Sequence, residues 1–251
     1  MESSQYTMLR GFIFLVKLDQ GGIMKRKITI YTFKSSQDLS MARRLNDLHS
    51  EILKHYKTEY YTASGDWITQ PNRICVCAID EEANQVICSH RLEITKSPKL
   101  ISDTSLLQGL KHEPVLPDRL EELFSIEGIY VEMCALWKNP FLEQFAYPFD
   151  EIVNLSLVYG LSRAYHFQIH TILGLTPMRF EPFWLKFGFM PDERVNHVMD
   201  YGSIGVPTRF IRVDHDKVQK SLLAICSSDQ LSQIKLNSIE FQFCDIVEEL
   251  D

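Results

Sequence analysis

The stretch from residue 128 to residue 177 constrains the fold most. "GIYVEMCALW" (128–137) is an apolar run rich in β-branched and aromatic residues, the signature of a strand. "DEIVNLSLVYGLSRAYHF" (150–167) follows, with Ile152, Leu155, Leu157, Val158, Leu161 and Ala164 on one side of a helix. Asp150 and Glu151 suit the positive N-terminus of that helix. "IHTILGL" (169–175) is a strand again, ended by Pro177. A strand, a helix and a strand in this order require a parallel pair joined by a crossover. Just upstream, "RICVCAID", "EEANQ" and "VICSHRLEIT" read as strand, turn and strand, an antiparallel hairpin. A chain that holds both units needs a mixed sheet.

The flanks extend this pattern. "KITIYTF" (27–33) alternates as a strand does, and "SSQD" supplies helix-start residues. Leu39, Ala42, Leu45, Leu48 and Ile52 then recur at helical spacing. Residues 62–72 are turn-rich, and the segment after residue 95 is broken by prolines and polar residues. "RFEPFWLKFGF" reads as a short helix stopped by Gly188, and "VNHVMDYG" and "TRFIRVDH" as strands around a "GSIGVP" turn. The tail from Gln219 offers one helix and one strand. The expected fold is α/β (α+β): a mixed, mostly antiparallel sheet with helices on both faces.

The 251 residues are 45% hydrophobic and 24% charged, enough to bury a core without staples. The net charge of -7 argues against nucleic acid as a partner, because phosphate binding needs a basic face. Six cysteines in a chain this long do not make a disulfide framework, and Cys75 and Cys77 lack the spacing of a metal pair. His166 and His170 stand four apart, but His170 begins a strand, so a helix-end or packing role outweighs a metal pair. No metal is expected. No stretch is long enough to span a bilayer, and the early run 11–16 is too short for a secretion signal, so a cytoplasmic protein is expected. Met24 opens "MKRKITIYTF". Residues 1–23 therefore read as a flexible N-terminal extension, 24–218 as the domain, and 219–251 as a C-terminal extension packed on it.

Glu132 is the anomaly in the central strand: one carboxylate in an otherwise apolar run. A buried carboxylate without a partner is costly. It is either ion-paired for structure, with Arg91 as the candidate, or it faces a cleft. Cys134 shares its strand face by alternation.

The element order, with Phe187-Gly188-Phe189 closing a short helix, resembles the GNAT acyltransferase superfamily. Within it, "VICSHRLEITKSPKLISDTSLL" (86–107) is similar to the Arg-Leu strand and Thr-x-x-Pro loop of acyl-homoserine-lactone synthases. "YVEMCALW" sits where that family has its Trp-Glu-Leu-Ser-Arg strand, and "YGSIGVP" resembles its late glycine–proline turn. The related N-acyl amino acid synthases share this layout. The resemblance covers most of residues 27–215. It places Glu132 on the family glutamate and Arg91 on the family arginine of the Arg-Leu pair. It also shows departures: the second family arginine is Ala135, and the paired acidic residues survive as Asp66, with Asn72 in place of the other. Those positions serve the homoserine-type substrate, so a lactone product is not implied, while acyl transfer is.

The resemblance implies a GNAT-like sheet whose central strand splays from its neighbour. It also implies an N-acyltransferase that moves a medium or long acyl chain from an acyl-carrier-protein or acyl-CoA thioester to an amine. Glu132 would take the ammonium proton as general base or bind the ammonium as an ion pair. Arg91, Asp66 and Cys134 would bind the acceptor; an acyl-cysteine at Cys134 is the lesser reading. Leu136, Trp137 and Lys138 at the end of the strand, with Gln144, Phe145 and Ala146, would bind the pantetheine thioester, and the apolar loop 139–149 would either line an acyl pocket or pack as a lid. The segment "NPFLEQFAYPFDEI" lacks the glycines of a pyrophosphate turn, and Trp184 stands where many relatives have a tyrosine. Both suit a carrier protein over CoA. Lys138, Arg163, Arg179 and the set Arg43, Arg44 and Lys54 are candidate docking cations. Two further readings stay open: an acetyl-CoA-dependent N-acetyltransferase, and a non-catalytic module that binds an acyl carrier. His90 points away from Arg91 on its strand and is given no role.

Overall fold

A computed structural model of the chain describes residues 26–57, 65–95, 129–145, 147–195, 198–200, 206–217, 220, 239–245 and 247. In chain order its strands are β1 (Arg26–Lys34), β2 (Arg73–Asp80), β3 (Gln85–Thr95), β4 (Tyr130–Lys138), β5 (Thr171–Pro177), β6 (Met190–Pro191), β7 (Met199–Asp200), β8 (Pro207–Asp214) and β9 (Ile239–Asp245). Its helices are α1 (Leu39–His55), α2 (Phe149–His166) and α3 (Glu181–Leu185). The 1–23 extension and the loop read after residue 95 lie outside the described residues.

Among the described residues the nine strands join one sheet in the order β6-β8-β5-β4-β3-β2-β1-β9, with β7 beside β8. Every pairing is antiparallel except β4 with β5 and β1 with β9. The mixed, mostly antiparallel sheet read from the sequence is therefore observed, and so is its parallel β4–α2–β5 unit. The sequence reading missed the destination of β9. It continues the sheet past β1, and its Asp245 holds Arg163 of α2 at 2.8 Å.

Strand alternation sorts the core between the two faces. Ile74 of β2, Leu92 and Ile94 of β3, and Val131 and Met133 of β4 pack under α2 with Leu157, Leu161 and Ala164. Trp184, Phe187 and Phe189 close the same cluster from α3 and the turn after it. Gly188 takes φ +83 there, a left-handed value that only glycine adopts without strain. The opposite residues, Cys75 and Cys77 of β2 and Trp137 of β4, pack under α1 with Ala42, Leu45 and Ile52. Asp38 caps α1 by accepting from the Met41 amide at 2.9 Å, as the polar run before the helix led one to expect. Leu39, the first residue of the apolar stripe, is exposed because the helix begins there beyond the sheet.

Two features of β4 were not legible in the residue pattern. Arg91 of β3 pairs with Cys134, and Ser89 pairs with Trp137, so Ala135 and Leu136 together face His90 alone. This is a β-bulge, and Ala135 takes φ +52 to make it. The extra residue turns Trp137 onto the α1 face, while Leu136 packs against the α2 side. The second feature is the partner strand. β5 pairs with β4 only from Tyr130↔Thr171 to Glu132↔Leu173, although it runs on to Pro177 beside β8. The two parallel strands thus part at Glu132, as the implied splayed strand requires.

His90, on the α2 face, is 1% exposed. Burial pushes its pKa from 6.5 down to about 3. His49 in α1 is pushed to about 4, by burial first and then by the Arg91 charge. Between those values and 6.5 the unfolded chain binds protons that the folded protein refuses, so stability is lost as pH falls. The urea midpoint should therefore drop between about pH 6.5 and pH 4, and His90→Asn should flatten that slope. An unchanged slope would mean that His90 is protonated in the folded state.

Candidate active site

The fork between β4 and β5 is the natural place for a ligand. Beyond Glu132, β4 has no strand on its β5 side among the described residues. Its backbone there is an edge inside the sheet, able to accept an extended chain as an added strand. Gly174, the first β5 residue past the fork, lies close to this edge: a Cβ on it would stand 3.4 Å from the Met133 carbonyl oxygen.

Glu132 sits at the apex, 7% exposed, on the α1 face. Directly across from it on β3 is Glu93, 1% exposed, so the two Cβ atoms lie about 5 Å apart. Glu93 was not singled out in the sequence. Its signal was the two-residue step from Arg91, which puts both on one strand face. Glu93 Oε1 accepts from Arg91 Nε at 2.8 Å, and Oε2 lies 3.7 Å from Arg73 Nε. Arg73 is in turn held by Gln70 Oε1 at 2.6 Å. Two carboxylates and two guanidiniums thus share one buried face, where mutual charge replaces lost hydration.

Arg91 is 3% exposed and lies beneath Trp67, its guanidinium carbon 4.3 Å from the ring centre. Trp67 is fixed by donating to Asn46 Oδ1 of α1 at 3.0 Å. Asp66, its neighbour, is on the exposed side of the same turn, so the structure brings Trp67 rather than Asp66 over Arg91. Asn72 serves the turn, at φ +56, with its carbonyl accepting from the Ile94 amide at 3.0 Å. Cys134 pairs across from Arg91, half-buried, and its thiol donates to Glu93 Oε1 at 3.5 Å. Burial raises this thiol well above its ordinary value, and the two glutamates reinforce that against Arg91. A thiol so held is a poor nucleophile. His49 completes the cluster, stacked on Trp137 with ring centres 6.3 Å apart.

The loop from β4 to α2 runs over the β3 side of β4. It is a 3-10 turn, Pro140–Phe145, pinned at both ends. Asn139 donates to the Val86 carbonyl at 2.9 Å, and Tyr147 donates to the buried Asp80 at 2.6 Å. Burial, and then the bond to Asp80, pushes the Tyr147 hydroxyl up to about 12. Gln144 and Phe145 are exposed on this turn; Ala146 lies outside the described residues. Lys138 is exposed, its ammonium 5.8 Å from the centre of the Phe149 ring where α2 starts. That start has Pro148 as N-cap, no side-chain cap, and Asp150 and Glu151 in its first turn.

The docking cations scatter. Arg163 is engaged by Asp245, and Arg44 donates to Asn84 Oδ1 at 3.0 Å. Arg43 and Arg44 share an open groove of about 550 Å³ with Asp47 and Glu51, away from the fork. Arg179 lies over Phe180 just after β5. Trp184 is a core side chain edge-on to Phe189, with no hydroxyl to offer a leaving group. His170 Nδ1 accepts from the Ile129 amide at 3.2 Å, so it closes the start of the parallel pair. Among the described residues, no group of three His, Cys, Asp or Glu could hold a metal ion, and no helix is long and apolar enough to cross a membrane.

No protein-family model and no curated protein matches this sequence. Solved structures do match. FeeM, an N-acyl amino acid synthase from uncultured soil microbes, superposes with a TM-score of 0.53 at 11% identity, over 79% of this chain and 97% of FeeM. BjaI, a CoA-dependent acyl-homoserine lactone synthase solved with SAM and isopentyl-CoA, gives 0.50 at 12% identity, over 88% of this chain and 94% of BjaI. Escherichia coli ElaA gives 0.50 at 14% identity, over 74% and 99%. At these identities the likeness is one of fold. The chain has a GNAT-like fold, in the arrangement also found in an N-acyl amino acid synthase and a homoserine lactone synthase.

Replacing Glu93 by Gln would leave two buried guanidiniums facing a neutral amide. Removing one partner from a buried ion network costs about 3–5 kcal/mol. A urea titration of Glu93→Gln should show a loss of that order; a loss near zero would mean that water reaches the cluster.

Proposed function

We propose that the protein is an N-acyltransferase that moves a medium or long acyl chain from a thioester to an amine by direct attack. The observation that carries this is the fork: β4 parts from β5 at the residue pair Glu132↔Leu173, with the Glu132 carboxyl at the apex. The exposed edge of β4 suits the amides of a pantetheine arm, which pair as a strand would. The thioester carbon then lies near the apex. The amine, deprotonated through Glu132 directly or by way of a water, attacks that carbon. A C–N bond forms, the C–S bond breaks, and the sulfur leaves to be protonated. The likeness to FeeM and BjaI supports this reaction class, since both are acyl-transferring synthases by description.

The start of α2 supports a carrier protein as the acyl donor. A helix N-terminus attracts a pyrophosphate through its dipole and open amides. Here Asp150 and Glu151 fill the first turn, and no glycine lets a phosphate approach the backbone. A carrier arm ends in a single phosphate held by its own protein, so it does not need that site. An amino acid or related amine is the acceptor this reading favours, with Arg91, Asp66 and Cys134 near it. The Glu132 carboxylate suits an ammonium group, and Ala135 removes the cation that the lactone synthases offer at that position.

Thiol release should be followed with acyl-carrier and acyl-CoA thioesters against a panel of amines, with mass spectrometry of the product. The carrier thioester should give the higher kcat/KM; the reverse would make CoA the acyl donor. Glu132→Gln should lower kcat by about 10²–10⁴ with thioester binding kept. Wild-type turnover in that variant would return Glu132 to a structural role. Acyl-carrier binding without transfer by the wild type would leave the non-catalytic module as the function.

A further inference from the structure

Helix α2 and strand β3 meet where a side chain on the helix would not fit. A Cβ built on Gly160 would stand 2.3 Å from His90 Nε2 and 3.1 Å from its Cε1. His90 Nδ1 lies 3.3 Å from Ser156 Oγ, one turn earlier on the same helix. Its Nε2 has no hydrogen-bond partner among the described residues. A buried polar atom left in this way costs about 1–3 kcal/mol, which an apolar side chain of similar size would not incur.

The position in the sheet adds the second observation. His90 is the single β3 residue that faces the bulge of Ala135 and Leu136. That bulge lies on the part of β4 that has lost β5, the proposed seat of the pantetheine arm. The ring thus fills the space between β3 and α2 beside the bulged segment, braced by Gly160 and Ser156. Eleven residues before Gly160, at about 1.5 Å per residue, α2 begins at Phe149 beside the acyl-donor loop.

We infer that His90 and Gly160 are a spacer pair: their fit sets how closely α2 lies on the bulged part of β4, and so the width of the acyl-donor groove. They are positioning residues that touch neither substrate. The spacing itself rests on geometry alone; its consequence for the acyl donor rests on the acyl-transfer reading above.

The test is a set of three variants, Gly160→Ala, His90→Ala and the double variant, read in two ways. Amide hydrogen exchange reports the spacing without any substrate. In Gly160→Ala, exchange should quicken at 133–138 and at 149–153, and adding His90→Ala should restore protection, because the small side chain admits the new methyl. Steady-state kinetics report the consequence. The KM for the acyl thioester should rise about tenfold in Gly160→Ala with the amine KM unchanged, and should recover in the double variant. If Gly160→Ala alone fails to fold, folding of the double variant is the same rescue. Additive damage in the double variant, or exchange that quickens only around residue 160, would overturn the spacer. Rescue of exchange with no thioester turned over by the wild type would keep the spacer and overturn the acyl-transfer reading instead.

Discussion

The parting of two parallel strands is the constraint on which the rest of this structure depends. β4 and β5 hold three register pairs and then diverge, while β3 and β8 keep their own hold on the outer edges. A sheet does not open at its centre without cause, since each backbone amide left behind must find another partner or water. Here β4 carries a bulge at Ala135 and Leu136, just past the point where its pairing with β5 ends, while β5 stays paired with β8. Helices on both faces keep the opened sheet from closing. α1 covers the polar side through His49 and, by way of Asn46, the turn residue Trp67, and α2 covers the apolar side through Leu157 and Leu161.

The charged cluster is the second consequence. A carboxylate at the apex of the fork is useful only if it stays ionisable and in place. Glu132 stands across from Glu93, and Glu93 is bound to Arg91 and set near Arg73. The four groups form one charged cluster across β2, β3 and β4, with Trp67 over Arg91. Arg91 is accordingly both a family-like residue and a buried structural ion, its guanidinium turned towards Glu93 and the indole. The loop after β4 is held just as firmly, by Asn139 to β3 and by Tyr147 to Asp80. The charged cluster at the apex and the loop that follows β4 are therefore both fixed by buried hydrogen bonds, which is what preorganised chemistry needs.

The sequence carried much of this. The parallel unit, the hairpin, the sides of α1 and α2, and Glu132 facing with Cys134 rather than with the core all follow from period and alternation. Three things did not. Trp137 sits on the α1 face because one extra residue resets the alternation, and nothing in "CALWK" marks that residue as a bulge. Glu93 entered the site through strand register, which local pattern does not state. Strand β9 joined β1 across more than two hundred residues of chain, a pairing that no local rule encodes.

What the sequence determined by itself was the set of elements and the face each residue would take, because periods of 2 and 3.6 are local properties of the chain. It also determined which residue types were present to do chemistry, and which, such as a glycine turn or a second arginine, were not. The tertiary structure decided where strands pair and where they stop, because pairing is a contest between distant segments for the same backbone groups. The apex at Glu132, the charged cluster around it, and the close seat of α2 on His90 all belong to that contest, and none existed until the sheet was assembled.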